Sequence, residues 1–414
     1  MELLARHVAP AVWSNVAEPG DTWAGALRRQ LGVERALQWA IAPFSPLPDE
    51  VEAPGGEMGA GALKGWRTAH GRWSTRLETY DYRKDLDALE KMGGRLIFPG
   101  DEEWPSGLNH LEDRMPPALW VVGNIRGEED SPNVSIVGSR AATQYGTKLA
   151  GQIAFDLAES GVIVVSGGAY GIDAAAHRGA LDALTLRHLE ERTVRDEDKP
   201  PTIAIICGGL SNLYPPGNRR LFDRILVEGG GIVAEVPPSF RPARWRFLER
   251  NRLIAAWSEV TLVVEAGVRS GALATANRAA DLGREVAAVP GPVTSPSSKG
   301  PHILLREGAT LVEDASDVLA IVNPSATGDL EKLQNHEDKH EGLPGVNSQT
   351  ARVLHTLTPL AQRVWEALPL MGAAPSNSVA QVAGVTEDEA GSGLLSLHIV
   401  GLAKCEDDKW RRAV

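Results

Sequence analysis

The chain has 414 residues, which fits two or three domains, and its 43% hydrophobic and 23% charged residues are the composition of a globular protein with a sizeable core. A formal charge of -12 excludes a chain that coats nucleic acid indiscriminately, so any such site must be a local basic patch. Cys207 and Cys405 have no metal-ligand spacing, and no apolar run is long enough to span a bilayer. The sequence reads as that of a soluble, cytoplasmic protein without membrane contact, metal or cofactor.

Residues 1–90 are Trp-rich and helix-like. In Trp23–Ile41, Leu27, Leu31, Ala36, Leu37 and Ile41 recur at helical spacing, which predicts a small helical domain. Gly55–Ala62 interrupts it as a loop. From residue 91 to 322 the period changes. Short apolar runs at Val134–Val137, Val162–Val165, Thr202–Cys207, Ile232–Val236, Thr261–Glu265 and Val286–Val289 alternate with helix-length segments. That predicts a doubly wound, mostly parallel α/β sheet of extended Rossmann-like type. The charged run Thr185–Pro201 reads as a solvated helix or surface insertion, and 323–357 as a linker. Residues 358–414 give three short helical patterns and a strand pair, a winged-helix-like outline. Thr386 and Glu389 form a capping box at the start of the third helix.

Ligands of an open parallel sheet bind beyond the carboxyl ends of its strands, and the residues there are unusual. They read Gly138-Ser139-Arg140, then Ser166-Gly167-Gly168-Ala169-Tyr170-Gly171, then Gly208-Gly209, then Ser270-Gly271, then Pro290-Gly291. Glycines allow close backbone approach and helix N-termini present free N–H groups, so together the loops predict a phosphate-binding rim. For any single loop, a tight turn between strand and helix explains the glycines equally well. The first loop is not G-x-G-x-x-G and no P-loop is present, so neither a dinucleotide nor a P-loop nucleotide is supported.

Phe240–Arg252 sets Arg241, Arg244, Arg246, Arg250 and Arg252 against a single Glu249, with Trp245 and Phe247 interleaved. Arginine forks grip phosphate and aromatic rings stack on bases, a pairing used by single-strand binders. Asp173 and His177 stand four apart at a helix start, but no nucleophile has a motif around it, so no catalytic residue is assigned. Asp173 is expected to brace its loop and His177 to brace Asp173.

These loops, in this order, resemble the DNA-processing protein A family, DprA or Smf, over about Asp101–Val322. Ile136–Arg140 (IVGSR) looks like its opening motif and Ser166–His177 (SGGAYGIDAAAH) like its second. Tyr214–Asn218 (YPPGN), Arg250–Arg252 (RNR), Ser270–Ala276 (SGALATA) and Gly283–Gly291 (GREVAAVPG) follow. The resemblance implies a non-enzymatic homodimer that binds single-stranded DNA without sequence preference and loads the RecA recombinase during natural transformation. It maps the basic pocket onto Arg140 and the loop amides of Gly167, Gly168, Ala169 and Gly171, and the other motif residues Gly138, Ser139, Ser166, Tyr214, Asn218, Arg250, Asn251, Arg252, Ser270 and Gly271 are expected DNA contacts beside them.

Three departures stand out. Pro216 occupies a position where some members carry a phosphate-binding Lys, and Arg219 and Arg220 are the expected substitutes. Leu248 replaces a usual Pro, and Gly300-Pro301-His302 departs from an Asn-containing loop. The third helix of the terminal segment begins Thr386-Glu387-Asp388-Glu389 and has no Lys or Arg before His398, so it is not expected to read a major groove. Lys404, Lys409, Arg411 and Arg412 of the wing could touch a backbone. An alternative of another class is a phosphoribohydrolase-like enzyme on the same sheet, but its P-G-G-x-G-T-x-x-E signature is missing. A transcription regulator built on the winged helix is disfavoured by the acidic third helix.

Overall fold

All six apolar runs are strands. The computed structural model describes residues 8–43, 47, 51–56, 60–78, 80–125, 132–189, 199–323, 357–369, 373–400, 402–406 and 409–412. The chain divides into two compact units, Met1–Pro324 and Ser325–Val414. In the first, β1 (Arg95–Ile97), β2 (Leu119–Gly123), β3 (Asn133–Val137), β4 (Ile163–Ser166), β5 (Thr202–Ile206), β6 (Gly231–Ala234), β7 (Val260–Val263), β8 (Glu285–Ala288) and β9 (Thr310–Leu311) form one sheet. Its order is β1-β2-β6-β5-β4-β3-β7-β8-β9. Strands β3 to β9 pair in parallel, while β1 and β2 join antiparallel at one edge.

The central strands are buried along their length, as a parallel sheet covered on both faces requires. On one face α6 (Gln144–Glu159) and α7 (Ile172–Leu189) lay Ile153, Leu157, Ala176 and Ala180 over Val134, Ile136, Val164 and Leu262. On the other, α9 (Arg244–Trp257) packs Leu253, Ile254 and Trp257 against Ile163, Val165, Ile203 and Val263. The chain winds from β3 through β4, β5 and β6 to one side, then returns past β3 to β7, β8 and β9. The reversal lies between β3 and β7, where a doubly wound sheet opens a crevice.

Helices α1 (Ala9–Val16), α2 (Thr22–Leu31), α3 (Val33–Ile41), α4 (Ala60–Leu77) and α5 (Tyr82–Lys91) precede the sheet. The helical spacing read across Trp23–Ile41 is carried by two helices, not one. Gly32, at φ 80°, breaks the backbone between them while the apolar period continues. Part of the expected Gly/Ala loop is helix, since α4 starts at Ala60. Trp13 and Trp73 meet edge to face at 5.3 Å inside this bundle. At its junction with the sheet, Ala11 and Leu89 share a buried apolar cluster with Trp120 and Ile206, and polar contacts flank it. Arg28 donates to the Met115 carbonyl at 2.7 Å, and a β-carbon on Gly25 would collide with the Asp113 carbonyl. Of the charged insertion, Thr185–Leu189 continues α7, and 190–198 lies outside the described residues, as does nearly all of the 323–357 linker.

The second unit holds helices α13 (Pro359–Ala367), α14 (Ser376–Ala383) and α15 (Glu387–Ile399). The helices of the first unit that complete the numbering are α8 (Arg219–Val227), α10 (Gly271–Asp281), α11 (Lys299–Arg306) and α12 (Ala315–Val322). Strands Ala374–Pro375, Ala403–Glu406 and Lys409–Arg412 form a three-stranded antiparallel sheet in the second unit. Thr386 and Glu389 make the reciprocal capping box at the start of Glu387–Ile399. Arg412 stacks 3.8 Å above the Trp365 ring.

Candidate nucleic-acid interface

A cleft of about 340 Å³ opens at the β3/β7 reversal. Gly138, Arg140, Ala169, Asp173, Phe247, Arg250, Asn251, Ser270 and Gly271 are among its lining residues. It continues into a wider groove of about 650 Å³ that shares Arg140, Arg244 and Phe247 and adds Asn212, Tyr214 and Arg241. The loop after β3 places Arg140 at the join, its guanidinium 4.6 Å above the Phe247 ring. Tyr214, 45% exposed, meets the same ring edge to face at 5.7 Å. Arg140, Arg241 and Arg244 are all exposed. Cation and ring surface therefore alternate along one wall, the arrangement that holds phosphates and unpaired bases together.

The remaining arginines of the basic stretch are committed elsewhere. Arg250 is buried and donates to the carbonyls of Gly167 (2.8 Å) and Ile205. Arg252 is 2% exposed and forks onto Glu235 at 2.7 and 2.5 Å, with a further bond to the Arg114 carbonyl. Contrary to expectation, Arg252 is therefore not a strand contact, because a guanidinium buried in an ion pair and absent from the lining of cleft and groove cannot reach one. Arg246 forks onto Glu18, both bonds at 3.0 Å. Burial works against the Glu18 charge, yet the bonds from Arg246 and Arg76 hold its carboxyl down to about 2.

The motif glycines approach protein atoms closely. A β-carbon on Gly167 would strike the Arg250 guanidinium, one on Gly168 the Phe222 ring, one on Gly171 the Ser139 carbonyl and one on Gly138 the Ile172 side chain. Gly168 and Gly171 also sit at φ 68° and 75°. The expected amide rim is partly occupied by the protein's own carboxylate. Asp173 Oδ2 accepts the Ala169 N–H at 3.3 Å. Burial pushes the Asp173 carboxyl up, against the pull of Arg250, the Ala169 amide, Arg140 and the Gly167 amide. Asp173 braces its loop as expected. His177 does not brace Asp173, since its Nδ1 lies 2.7 Å from Thr202 Oγ1, at the start of the interior strand β5.

Several other predicted contacts are braces. Ser166 Oγ is buried and donates to the Ile136 carbonyl. Asn218 Nδ2 is buried and donates to the carbonyls of Gly168 and Ala169 at 2.9 and 3.1 Å, which fixes the second motif's loop. The Ser139 amide is spent on the Glu265 carbonyl. Arg219 pairs with Asp223 one turn along α8, and neither it nor Arg220 lines the cleft. Arg241 and Arg244 stand there instead. Gly208 and Gly209 seat the chain Pro237–Pro242, since a β-carbon on either would press on its prolines. Ser270 caps helix Gly271–Asp281 by accepting the Ala272 N–H, and Asn251 Nδ2 donates to the Gly271 carbonyl.

A family profile described as DNA recombination-mediator protein A matches residues 95–323, more than half the chain. The chain belongs to this family. It is 43% identical over 338 residues to a Mycobacterium tuberculosis protein named for DNA processing, DprA, covering 79% of each chain. The Escherichia coli protein Smf is 37% identical over 57% of this chain and 60% of its own. The X-ray structure of DNA processing protein A from Streptococcus pneumoniae superposes with a TM-score of 0.55 at 28% identity, over 76% of this chain and 96% of that one. Family membership extends from β1 through the last helix of the sheet unit, so it contains the whole cleft. Among the described residues no helix is long and apolar enough to cross a membrane, and no cluster of His, Cys, Asp and Glu could hold a metal ion.

Proposed function

We propose that the cleft and groove bind single-stranded DNA without sequence preference, and that this cytoplasmic chain acts as a non-enzymatic homodimer that passes the strand to a RecA-type recombinase in natural transformation. One observation carries the reading: three exposed arginines alternate with two aromatic rings along a single groove of an otherwise acidic chain. Backbone charge is met by Arg140, Arg241 and Arg244, unpaired bases by Phe247 and Tyr214, and a duplex presents no free base faces to those rings. Gly138, Ala169, Asn251, Ser270 and Gly271 line the inner end. Residues 1–90 serve as a helical domain docked on this 91–322 region, and 358–414 as a winged-helix-like accessory domain beyond the 323–357 linker. Oligo-dT and duplex of equal length, titrated over a salt series, test it. Single-strand preference with affinity that falls with salt supports the reading, and equal binding of the two overturns it. Faster recombinase nucleation on oligo-dT in the presence of the protein tests the hand-off, and sedimentation tests the dimer.

The enzymatic alternative has one observation behind it, the buried Asp173 carboxyl lining the cleft. That carboxyl is already engaged by the Ala169 amide and faces Arg250, and it is the single carboxylate among the described residues that line the cavity. Incubation with nucleoside monophosphates and assay for free base discriminates the two.

A further inference from the structure

The groove wall bearing Arg241 and Arg244 is the segment Pro237–Arg246, which runs from the loop after β6 into the first turn of α9. From inside, the Gly209 N–H donates to the Phe240 carbonyl at 2.8 Å and the Ser211 N–H to the Pro238 carbonyl at 3.1 Å. From outside, two carboxylates of the N-terminal helical region reach it. Asp85 of α5 accepts the Ser239 N–H at 2.8 Å and the Ser239 hydroxyl at 3.1 Å. Glu18, just past α1, accepts from Trp245 Nε1 at 3.3 Å as well as from Arg246.

Asp85 is 3% exposed, although Ser239 is neutral. A buried carboxylate bonded to a neutral residue is a poor source of stability, since its desolvation is not offset by an opposite charge at that contact. What its two bonds do fix is the path of the chain two residues before Arg241. We propose that Asp85 and Glu18 are positioning residues, through which the N-terminal helical region sets the geometry of the groove wall and so the affinity for a single strand. This rests on the reading of the groove given above.

Electrostatics alone gives the opposite sign. Deleting a carboxylate beside a cationic groove would tighten the binding of a polyanion, whereas loss of a tether weakens it. Asp85→Asn and Asp85→Ala in the full chain remove the same charge. Asn retains an acceptor for the Ser239 N–H and can donate to the hydroxyl; Ala does neither. In anisotropy titrations of labelled oligo-dT, Asn is expected within about twofold of the parent chain and Ala weaker by about fivefold, the scale of one or two net hydrogen bonds. The Ala loss is expected to vanish when Arg241 and Arg244 are both Ala, because the tether acts through them. Equal affinities for the Asn and Ala variants, or a loss that persists without the two arginines, would overturn the proposal. If Asp85→Ala gives no cooperative melt, Ser239→Ala removes the hydroxyl bond alone, and an undiminished affinity there overturns it too. A parent chain that ignores oligo-dT at low salt removes the groove reading itself and the tether with it.

Discussion

Within thirteen consecutive residues the structure separates arginines that face the groove from arginines that hold the fold, and the two groups predict different measurements. Arg140, with Arg241 and Arg244 of the basic stretch, gives three exposed cations on the groove. For a single strand each neutralised phosphate contributes about 0.7 to the slope of log affinity against log salt, so three contacts give a slope near -2 and an affinity loss of about 18-fold between roughly 50 and 200 mM salt. Removing one of them is expected to flatten the slope by about 0.7 per protomer, with the melting temperature nearly unchanged. Arg252 behaves in the opposite way. Its substitution by Ala strands a Glu235 that is 6% exposed, at a cost of about 3–5 kcal/mol in unfolding free energy, and leaves the slope of the folded fraction as it was. Anisotropy over a salt series and urea denaturation, run on the same four variants, separate the two roles. A slope that stays put on loss of Arg140, Arg241 and Arg244 in turn, or that falls with Arg252, would refute this division.

Burial raises the Asp173 carboxyl, and its ionisation sets a negative charge against a polyanion in the cleft, so oligo-dT affinity of the parent is expected to fall as pH rises through that ionisation and Asp173→Asn, which keeps an acceptor for the Ala169 amide, to remove the fall; a pH dependence that is the same in both refutes this. Gly25→Ala drives a methyl into the Asp113 carbonyl, and urea midpoints are expected to report a loss of about 1–3 kcal/mol or more, whereas a neutral result would show that α2 can shift freely. Burial, then Arg250 and Arg178, hold the His177 imidazole down to about 3 from an ordinary 6.5. The unfolded chain binds that proton first, so this contribution to stability is complete above pH 6.5 and is lost as pH falls toward 3, by about 2 kcal/mol at pH 5. Comparing urea midpoints at pH 7.5 and 5 for parent and His177→Asn checks it, and equal drops in both would count against a titrating His177.

The parallel sheet was readable because its strands are short runs of Val, Ile and Ala bounded by glycine, a pattern that burial on both faces imposes. The break at Gly32 was not, because the spacing of Leu27, Leu31, Ala36 and Leu37 runs through it unchanged. Charge clustering located the groove wall, but which arginines are free depends on carboxylates far away in the chain. Glu18 claims Arg246 and Glu235 claims Arg252, and nothing in the local spelling announces either pairing. The same limit applies to His177, whose partner Thr202 follows only after the charged insertion. The brace role of Asp173 was legible, being local to its own loop.

Asp173 lies where a visiting phosphate would otherwise find bare amides, so the pocket is born with a resident counterweight. A strand entering it gains less than an empty cradle would offer, and leaves more readily. On the proposed hand-off of the strand, moderation of this kind favours release, and it is written into the first turn of a single helix.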